Sequence, residues 1–361
     1  MEVNKIYLGD NIEILKSLPD NSVNCCITSP PYYGLRDYGT GKWIGGDPNC
    51  PHFRTSHRSD KTSTGHKKIH EIGGVADSIY KSVCPKCGAI REDKQVGLEE
   101  TPEEYIDRLV GIFEEVRRVL KDDGTLWVNI GDTYNSTATG SVNNKQVTNI
   151  GSLSQTYSKH LVDNCKPKDL IGIPWMLAFA LRNAGWYLRQ DIIFAKRNPM
   201  PESVLDRCTK SHEYIFLLSK SSKYYFDNVA IQEDAISDPK RYEYPIMNGD
   251  EEQHGVVRPN SSPNTGGMKT WTGKRNKRDV WTVNVSRYSG AHFATFPEEL
   301  IYPMVMAGCP KDGIVLDPFM GSGTVGVVAK RNHRNYIGCE LNETYLKMAE
   351  QRIHAVTKKL F

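Results

Sequence analysis

No run of apolar residues in this chain is long enough to cross a bilayer, which excludes a helical membrane protein. The opening residues, Met1 to Asp10, carry neither the apolar core nor the cleavage signature of a secretory signal, and the expected compartment is the cytoplasm. An excess of either charge is also missing. The 46 lysines and arginines against 43 acids leave a formal net charge of +3, which excludes a polybasic tail protein but leaves a local basic face open. In a reducing compartment the nine cysteines are expected as thiols or metal ligands in place of disulfides. There is no internal repeat. The 361 residues suffice for one large α/β domain or two smaller ones, either with a full core.

What is present alternates. Lys5 to Leu8 reads as a short strand ending at Gly9-Asp10, followed by a helix with Ile12, Leu15 and Leu18 on one face. Val23 to Thr28 is a buried strand that stops at Ser29-Pro30-Pro31-Tyr32. From about Arg36 to Gly97 apolar periodicity gives way to Gly, Lys, His and Ser, as in an insertion. Regular structure resumes with Thr101 as N-cap, Pro102 at the first helical position and Glu104 three residues after the cap. Ile106, Leu109, Val110, Phe113, Val116, Val119 and Leu120 supply that helix's apolar face. A turn is expected at Asp122-Asp123-Gly124, then a strand from Thr125 to Ile130. Asn135 to Lys159 is polar and reads as a long mobile loop. A helix from about Pro174 to Asn183 and strands from Tyr187 to Ala195 and Glu213 to Leu218 follow. Asp227 to Ala291 breaks the pattern. Gly313 to Leu316 is then a strand, Gly323 to Lys330 a helix and Tyr336 to Cys339 a second strand. This alternation predicts a largely parallel sheet covered by helices.

Asp317-Pro318-Phe319-Met320-Gly321-Ser322-Gly323-Thr324 follows a strand and opens a helix, the position where open α/β sheets bind ligands. Its glycines let a backbone approach a ligand closely, although a tight turn with no ligand has the same pattern. No Gly-Lys-Ser/Thr follows, so a phosphate-binding loop is excluded. An acid at the strand end puts negative charge where a pyrophosphate would sit, which disfavours a dinucleotide and suits a cationic, phosphate-free ligand. Glu340 ends the next strand, where an acid accepts hydrogen bonds from ribose hydroxyls.

Ser29-Pro30-Pro31-Tyr32 is the second anchor. Two prolines lock φ and remove two donors, leaving carbonyls free to accept, and a tyrosine stacks on a flat base. Alone, this is a rigid turn at a strand end. Together with Asp317-Pro318-Phe319-Met320-Gly321-Ser322-Gly323-Thr324 it resembles the amino-methylating DNA methyltransferases, whose catalytic motif reads Asp/Asn/Ser-Pro-Pro-Tyr/Phe. Here that motif precedes the cofactor motif, as in the permuted group called β. Gly9-Asp10 looks like the group's adenine-contacting motif and Thr295-Phe296-Pro297 like the one that closes the methionine end of the pocket. Lys166-Pro167-Lys168-Asp169-Leu170, Trp186-Tyr187-Leu188-Arg189, Asn198-Pro199-Met200-Pro201-Glu202-Ser203 and Lys210-Ser211-His212-Glu213-Tyr214 resemble blocks of a subfamily from bacteria and their phages.

The resemblance implies a Rossmann-like class I S-adenosylmethionine-dependent methyltransferase sheet in permuted order. It implies cofactor contacts from Asp10, Phe296, Asp317, Phe319, Gly321, Ser322, Gly323, Thr324 and Glu340, and catalysis by Ser29, Pro30, Pro31 and Tyr32. Ser29 and the Pro30 carbonyl would hold the target amino group while Tyr32 stacks on the flipped base. A cytosine-C5 enzyme needs a Pro-Cys nucleophile, and no Pro-Cys dipeptide occurs. Serine at the head of the motif favours cytosine N4 over adenine N6. The implied partner is double-stranded DNA, not a membrane, with a cognate restriction endonuclease in a restriction-modification pair. Other readings are an RNA or protein-glutamine methyltransferase and a zinc-containing DNA-binding module without catalysis.

Cys50-Pro51-His52 and Cys84-Pro85-Lys86-Cys87-Gly88 flank the insertion. Cys50, His52, Cys84 and Cys87 are the expected ligands of a structural zinc, with His57, His66 and His70 as rivals and unligated thiols as the plain alternative. Lys269, Lys274, Arg275, Lys277 and Arg278, with Trp271 and Trp281 interleaved, stand against one acid, Asp279, in a stretch reaching Arg287. They are expected to contact DNA, although charge runs are commonly just solvated loops. The expected division is a catalytic domain of residues 1–35, 98–226 and 291–361, a zinc-knuckle insertion of 36–97 and a target-recognition region of 227–290.

Overall fold

The computed structural model describes residues 1–34, 40–54, 78–79, 83–135, 162–235, 273–285 and 296–356. His57, His66, His70, Lys269, Trp271, Arg287, Thr295 and nearly all of the expected loop from Asn135 to Lys159 lie outside these residues.

In chain order the elements begin with β1 (Lys5–Leu8), α1 (Asn11–Ser17), β2 (Val23–Thr28), β3 (Lys42–Ile44), β4 (Phe53–Arg54), β5 (Ser78–Ile79) and β6 (Ile90–Glu92). They continue with α2 (Pro102–Val119), β7 (Leu120–Ile130), α3 (Ile173–Asn183), β8 (Tyr187–Lys196), β9 (His212–Ser219), β10 (Glu233–Asp234), β11 (Lys274–Arg275) and β12 (Val280–Val283). The last are α4 (Glu298–Gly308), β13 (Ile314–Asp317), α5 (Thr324–Arg331), β14 (Asn335–Glu340) and α6 (Glu343–His354). Among the described residues no helix is long and apolar enough to cross a membrane.

Eight strands form one sheet in the order β1-β14-β13-β2-β7-β9-β8-β12. Only β9 runs against the rest, pairing antiparallel with both β7 and β8. The sheet is therefore largely parallel, as its alternation predicts, with one reversed strand. Period-two side-chain alternation sends Cys26, Leu126, Val128, Phe216 and Leu218 to one face and Cys25, Ile27, Trp127, Ile215 and Leu217 to the other. The first face packs under α1, α2 and α3, the second under α4, α5 and α6. The crossover through α2 leads outward from β2, and that through α5 leads outward the other way from β13 on the opposite face. The order thus reverses between β13 and β2, where a crevice opens at the carboxyl ends of the strands.

Local chemistry sets the boundaries. Thr101 and Glu104 form the expected capping box at α2. The turn expected at Asp122-Asp123-Gly124 is a bulge inside β7. Leu120 pairs with Val23, the next pair is Thr125 with Cys25, and the polar residues between are looped out. The expected recognition region also gives a piece to the main sheet. Val280–Val283 pairs in parallel with β8, and Trp281 is buried against Trp127. Helices α4 and α6 carry no strong sequence signal. The former holds Pro303 in its interior, and the latter is mostly polar with Ala349 and Ile353 buried.

Gly308 ends α4 directly over a buried cluster, in which Trp127 Nε1 donates to Thr125 Oγ1 at 3.1 Å. A Cβ there would lie 2.7 Å from Trp127 Nε1 and 2.9 Å from Cys25 Sγ. Gly308→Ala is expected to destabilise the fold by about 1–3 kcal/mol through overpacking. Urea unfolding checks this, and a midpoint equal to the parent's would mean that the cluster yields.

Candidate active site

The crevice at the strand-order reversal is a cleft of about 460 Å³. Its lining includes Asp10, Ser29, Pro30, Pro31, Tyr32, Phe296, Asp317, Phe319, Ser322, Thr324 and Glu340. Two motifs nearly 300 positions apart therefore face one space. Gly321 and Gly323 belong to the same turn without lining the cleft.

Asp317 ends β13. Its Oδ1 accepts from Thr28 Oγ1 at 2.6 Å and from the Phe319 amide at 3.0 Å. Burial pushes the carboxyl up to about 7 against these two hydrogen bonds, and the neighbouring Glu340 charge adds to the push. Glu340 ends β14 with its Oε2 on the Gly321 amide and its Oε1 on the Asn342 amide, both at 2.8 Å. Burial raises its pKa as well. Asp10 caps α1 through Oδ1, which takes the amides of Ile12 and Glu13. Ser322 and Thr324 are fastened by Arg352, which donates to their oxygens at 2.8 and 3.1 Å. The two glycines differ. Gly321 sits at φ 52° where a Cβ would meet only the Phe319 carbonyl at 3.8 Å, whereas a Cβ on Gly323, at φ 80°, would lie 2.7 Å from Ala349 Cβ. Gly323 is required both by its left-handed φ and by packing against α6.

At the other end, the Pro31 carbonyl accepts from Tyr105 at 2.8 Å. No donor among the described residues reaches the Pro30 carbonyl. The Tyr32 ring lies against Gly131, where a Cβ would come within 2.6 Å of it. Its hydroxyl donates to Glu213 Oε2 at 2.7 Å and accepts from Asn129 Nδ2 at 2.8 Å. Asn129 also reaches Ser29 Oγ at 3.3 Å, and Lys196 pairs with Glu213. Burial, reinforced by the Glu213 charge, raises the Tyr32 phenol well above its ordinary value, so it stays protonated. Sequence reasoning missed Asn129, Lys196 and Glu213 as site residues. A polar Asn inside the apolar run Leu126 to Ile130 was the available signal.

Three of the four expected zinc ligands are gathered, with His52 beside one of them. The sulfurs of Cys50, Cys84 and Cys87 lie within 4.8 Å of one another. Cys50 and Cys84 are 3.7 Å apart, and Cys87 Sγ is 3.9 Å from Nε2 of the buried His52. A tetrahedral zinc with metal–sulfur bonds of about 2.3 Å has sulfur–sulfur edges near this length. The basic stretch differs from its reading. Arg275 and Arg278 both pair with Glu233, at 3.0 and 2.7 Å, and Lys274 pairs with Asp234. Trp281 is core, with the Lys277 ammonium 5.2 Å from its ring centre. Strand β10 thus supplies acids that the local sequence around Arg278 lacks.

The reversal crevice, strand-end acids and rigid Pro-Pro turn define an α/β enzyme cleft. The DNA methylase family model for N6- and N4-methyltransferases matches residues 23–351. The chain is 39% identical over 350 residues to the type II methyltransferase M.Cfr9I of Citrobacter freundii, covering 96% of this chain and 87% of that protein. It is 40% identical over 349 residues to the type II methyltransferase M.SmaI of Serratia marcescens, covering 97% of this chain and 90% of that protein. The solved PvuII DNA methyltransferase (cytosine-N4-specific) shares the fold, with a TM-score of 0.55 at 16% identity over 100% of this chain and 89% of that one. The chain belongs to the amino-methylating DNA methylase family and is a DNA methyltransferase of bacterial type.

Asp317 has an ordinary pKa of 3.8 and is held at about 7 in the fold. The native state binds this proton more tightly, so the contribution to stability is full below pH about 4 and is lost as pH rises through about 7. Asp317→Asn is expected to be more stable than the parent by about 1–4 kcal/mol at pH about 8, with the gain gone at pH about 4. Urea midpoints at the two pH values test this. A variant with no advantage at the higher pH would mean that the carboxylate is not strained.

Proposed function

We propose that the chain transfers a methyl group from S-adenosylmethionine to the exocyclic amino group of a base flipped from double-stranded DNA, cytosine N4 in preference to adenine N6. The observation that carries this reading is the shared cleft, in which Ser29 and Tyr32 face the same space as Asp317 and Glu340. The fit to the cofactor rests on its donors: Asp317 keeps Oδ2 clear of its two hydrogen bonds and supplies an acceptor for an α-amino group. Glu340 suits ribose hydroxyls, Asp10 the adenine end, and Phe296 and Phe319 the apolar walls. The cofactor brings an electrophilic methyl group on a sulfonium.

The chain's own part is to position and to accept. Ser29 Oγ and the Pro30 carbonyl take the two amino hydrogens, favouring a tetrahedral nitrogen whose lone pair points at the methyl carbon. Bound there, the cofactor would supply its methyl group to that nitrogen as the carbon–sulfur bond breaks with its electron pair left on sulfur, and the proton displaced from the nitrogen would pass to solvent water. Tyr32 offers a ring face to the base, its other face backed by Gly131 and its hydroxyl fixed by Asn129 and Glu213. Digestion of treated DNA to nucleosides is expected to give N4-methylcytosine by mass. N6-methyladenine would overturn the choice of base. Ser29→Ala is expected to lower the methylation rate by about a hundredfold or more while leaving cofactor affinity, measured by calorimetry, unchanged. Full activity in that variant would move the catalytic site elsewhere.

We also assign Cys50, His52, Cys84 and Cys87 to a structural zinc, since methyl transfer from a sulfonium needs no Lewis acid. The stretch containing Lys274, Arg275, Lys277 and Arg278 is assigned to DNA contact, with Glu233 and Asp234 pairing with three of those cations from the antiparallel strand β10. Lys277→Ala is expected to weaken binding to all duplexes alike and to reduce the slope of log affinity against log salt by about one. An unchanged slope would remove Lys277 from the interface. The type II relatives support a place beside a cognate restriction endonuclease.

A further inference from the structure

The segment Asp93–Gly97, which leaves β6 at the end of the insertion, is a wall of the cleft. Thr40, Lys94, Gln95 and Val96 line it beside Asp10, Pro31 and Tyr32. Lys94 pairs with Glu13 in the first turn of α1 at 2.7 Å. Three residues later the Gly97 carbonyl accepts from the Gly34 amide at 2.9 Å. A Cβ on Gly97 would lie 2.9 Å from the Tyr32 carbonyl. The segment is therefore a strap running from the helix capped by Asp10 to the Pro-Pro-Tyr turn. Arg108 of α2 holds its back, donating to the carbonyls of Lys94 and Gln95.

The strap is tied to the cysteine cluster by a nearly buried charge pair. Asp93 accepts from Arg91 at 2.7 Å, from Thr40 Oγ1 at 2.7 Å and from the Gln95 amide at 3.0 Å. The Arg91 and Asp93 side chains are only 5% and 11% exposed. Gly41 has no room for a Cβ, because the Arg91 guanidinium nitrogen would lie 2.2 Å from it. One residue before Arg91, Ile90 pairs with Ile44 in the β3–β6 hairpin and bridges to Val83, beside Cys84. Strands of two or three residues with almost no apolar core do not stand alone in water. Something other than burial has to hold them, and clustered thiols and an imidazole stand beside them.

We propose that zinc bound by Cys50, His52, Cys84 and Cys87 is the clasp of this strap, so that metal loading and S-adenosylmethionine binding are coupled. The inference rests on the cofactor and zinc assignments above. Removing the metal frees the hairpin that holds Arg91 and Asp93, and the wall between Asp10 and Tyr32 loosens. Coupling between sites is reciprocal, so bound cofactor must also tighten zinc.

The test uses the full chain. Metal analysis of purified protein is expected to find one zinc per chain. Stripping zinc with a chelator is expected to weaken S-adenosylmethionine binding by about tenfold, an ordinary size for coupling between sites, and added zinc is expected to restore it. In the intact enzyme, saturating S-adenosylmethionine is expected to slow zinc release to the chelator, a readout that survives if the stripped protein aggregates. Asp93→Asn is expected to keep zinc but lose affinity for the cofactor. Asp317→Ala is expected to keep zinc and lose cofactor binding, and with it the slowing of release. Protein that holds zinc, but whose cofactor affinity and zinc release ignore each other, overturns the clasp and leaves the metal site standing. Protein without zinc overturns both. Failure of Asp317→Ala to affect cofactor binding condemns the cofactor assignment instead.

Discussion

The hydrogen bond from Thr28 to Asp317 is buried, 2.6 Å long, and joins residues 289 positions apart. It crosses the seam between β2 and β13, the one place where the sheet reverses its strand order. Thr28 is the last residue before Ser29, and Asp317 the last before the Pro318–Thr324 turn. Two loops with separate chemistry are thus held in fixed relation by a contact between the ends of two rigid strands. A loop-to-loop contact would not do this, because loop ends move relative to the sheet. The cost is a carboxylate in a dry place, and the raised pKa of Asp317 records it. A strained acid at the mouth of a cleft is a group whose environment improves when a cation arrives.

The second constraint lies across the cleft, where the Tyr32 ring is held by its hydroxyl. Glu213 comes from β9, the one reversed strand, and Lys196 from β8 beside it. Reversal matters here. It brings the start of β9 to the same edge at which β7 and β8 end, so Asn129, Lys196 and Glu213 converge on Tyr32. The charge pair also keeps Glu213 from standing as a lone buried anion. Asn129 links this group to Ser29, so the residue that would hold the amino group and the one that would stack on the base move as a unit.

Much of this was legible in the sequence because it is written in short, local patterns. The capping box at Thr101, the Pro-Pro turn and the strand-end acids each depend on neighbours within a few residues, and the cysteine pairs also fall where their spacing places them. The rest depends on partners far along the chain. The acid that pairs with both Arg275 and Arg278 is Glu233, about 40 residues earlier in β10, so a local count of charge is misleading there. Trp281, in a run of basic residues, is a core side chain because β12 joins the sheet through a pairing with β8 that no local period announces. The Asp122-Asp123-Gly124 signal was sound as chemistry. It marks residues that leave the ladder, but the strand resumes its pairing on either side. The demand that Ala349 of α6 places on Gly323 is likewise not announced by the motif around Gly323.

The position of the insertion follows from the same geometry. A long segment added between β2 and α2 enters and leaves at the carboxyl edge of the sheet, so it disturbs neither buried face. Its closure entropy grows only slowly with length, so size alone is not the difficulty. The difficulty is that its first residues follow the Ser29–Tyr32 turn directly, and an unanchored segment there would leave Tyr32 poorly held. The return path meets this by running back along the cleft as the Asp93–Gly97 strap, fixed to α1 by Lys94, to α2 by Arg108 and to the turn by Gly97. An insertion at this point is tolerated only if its exit is anchored as firmly as the strand it interrupts. The polar, core-poor segment carries a buried Arg91–Asp93 pair and a cluster of three cysteines at its neck.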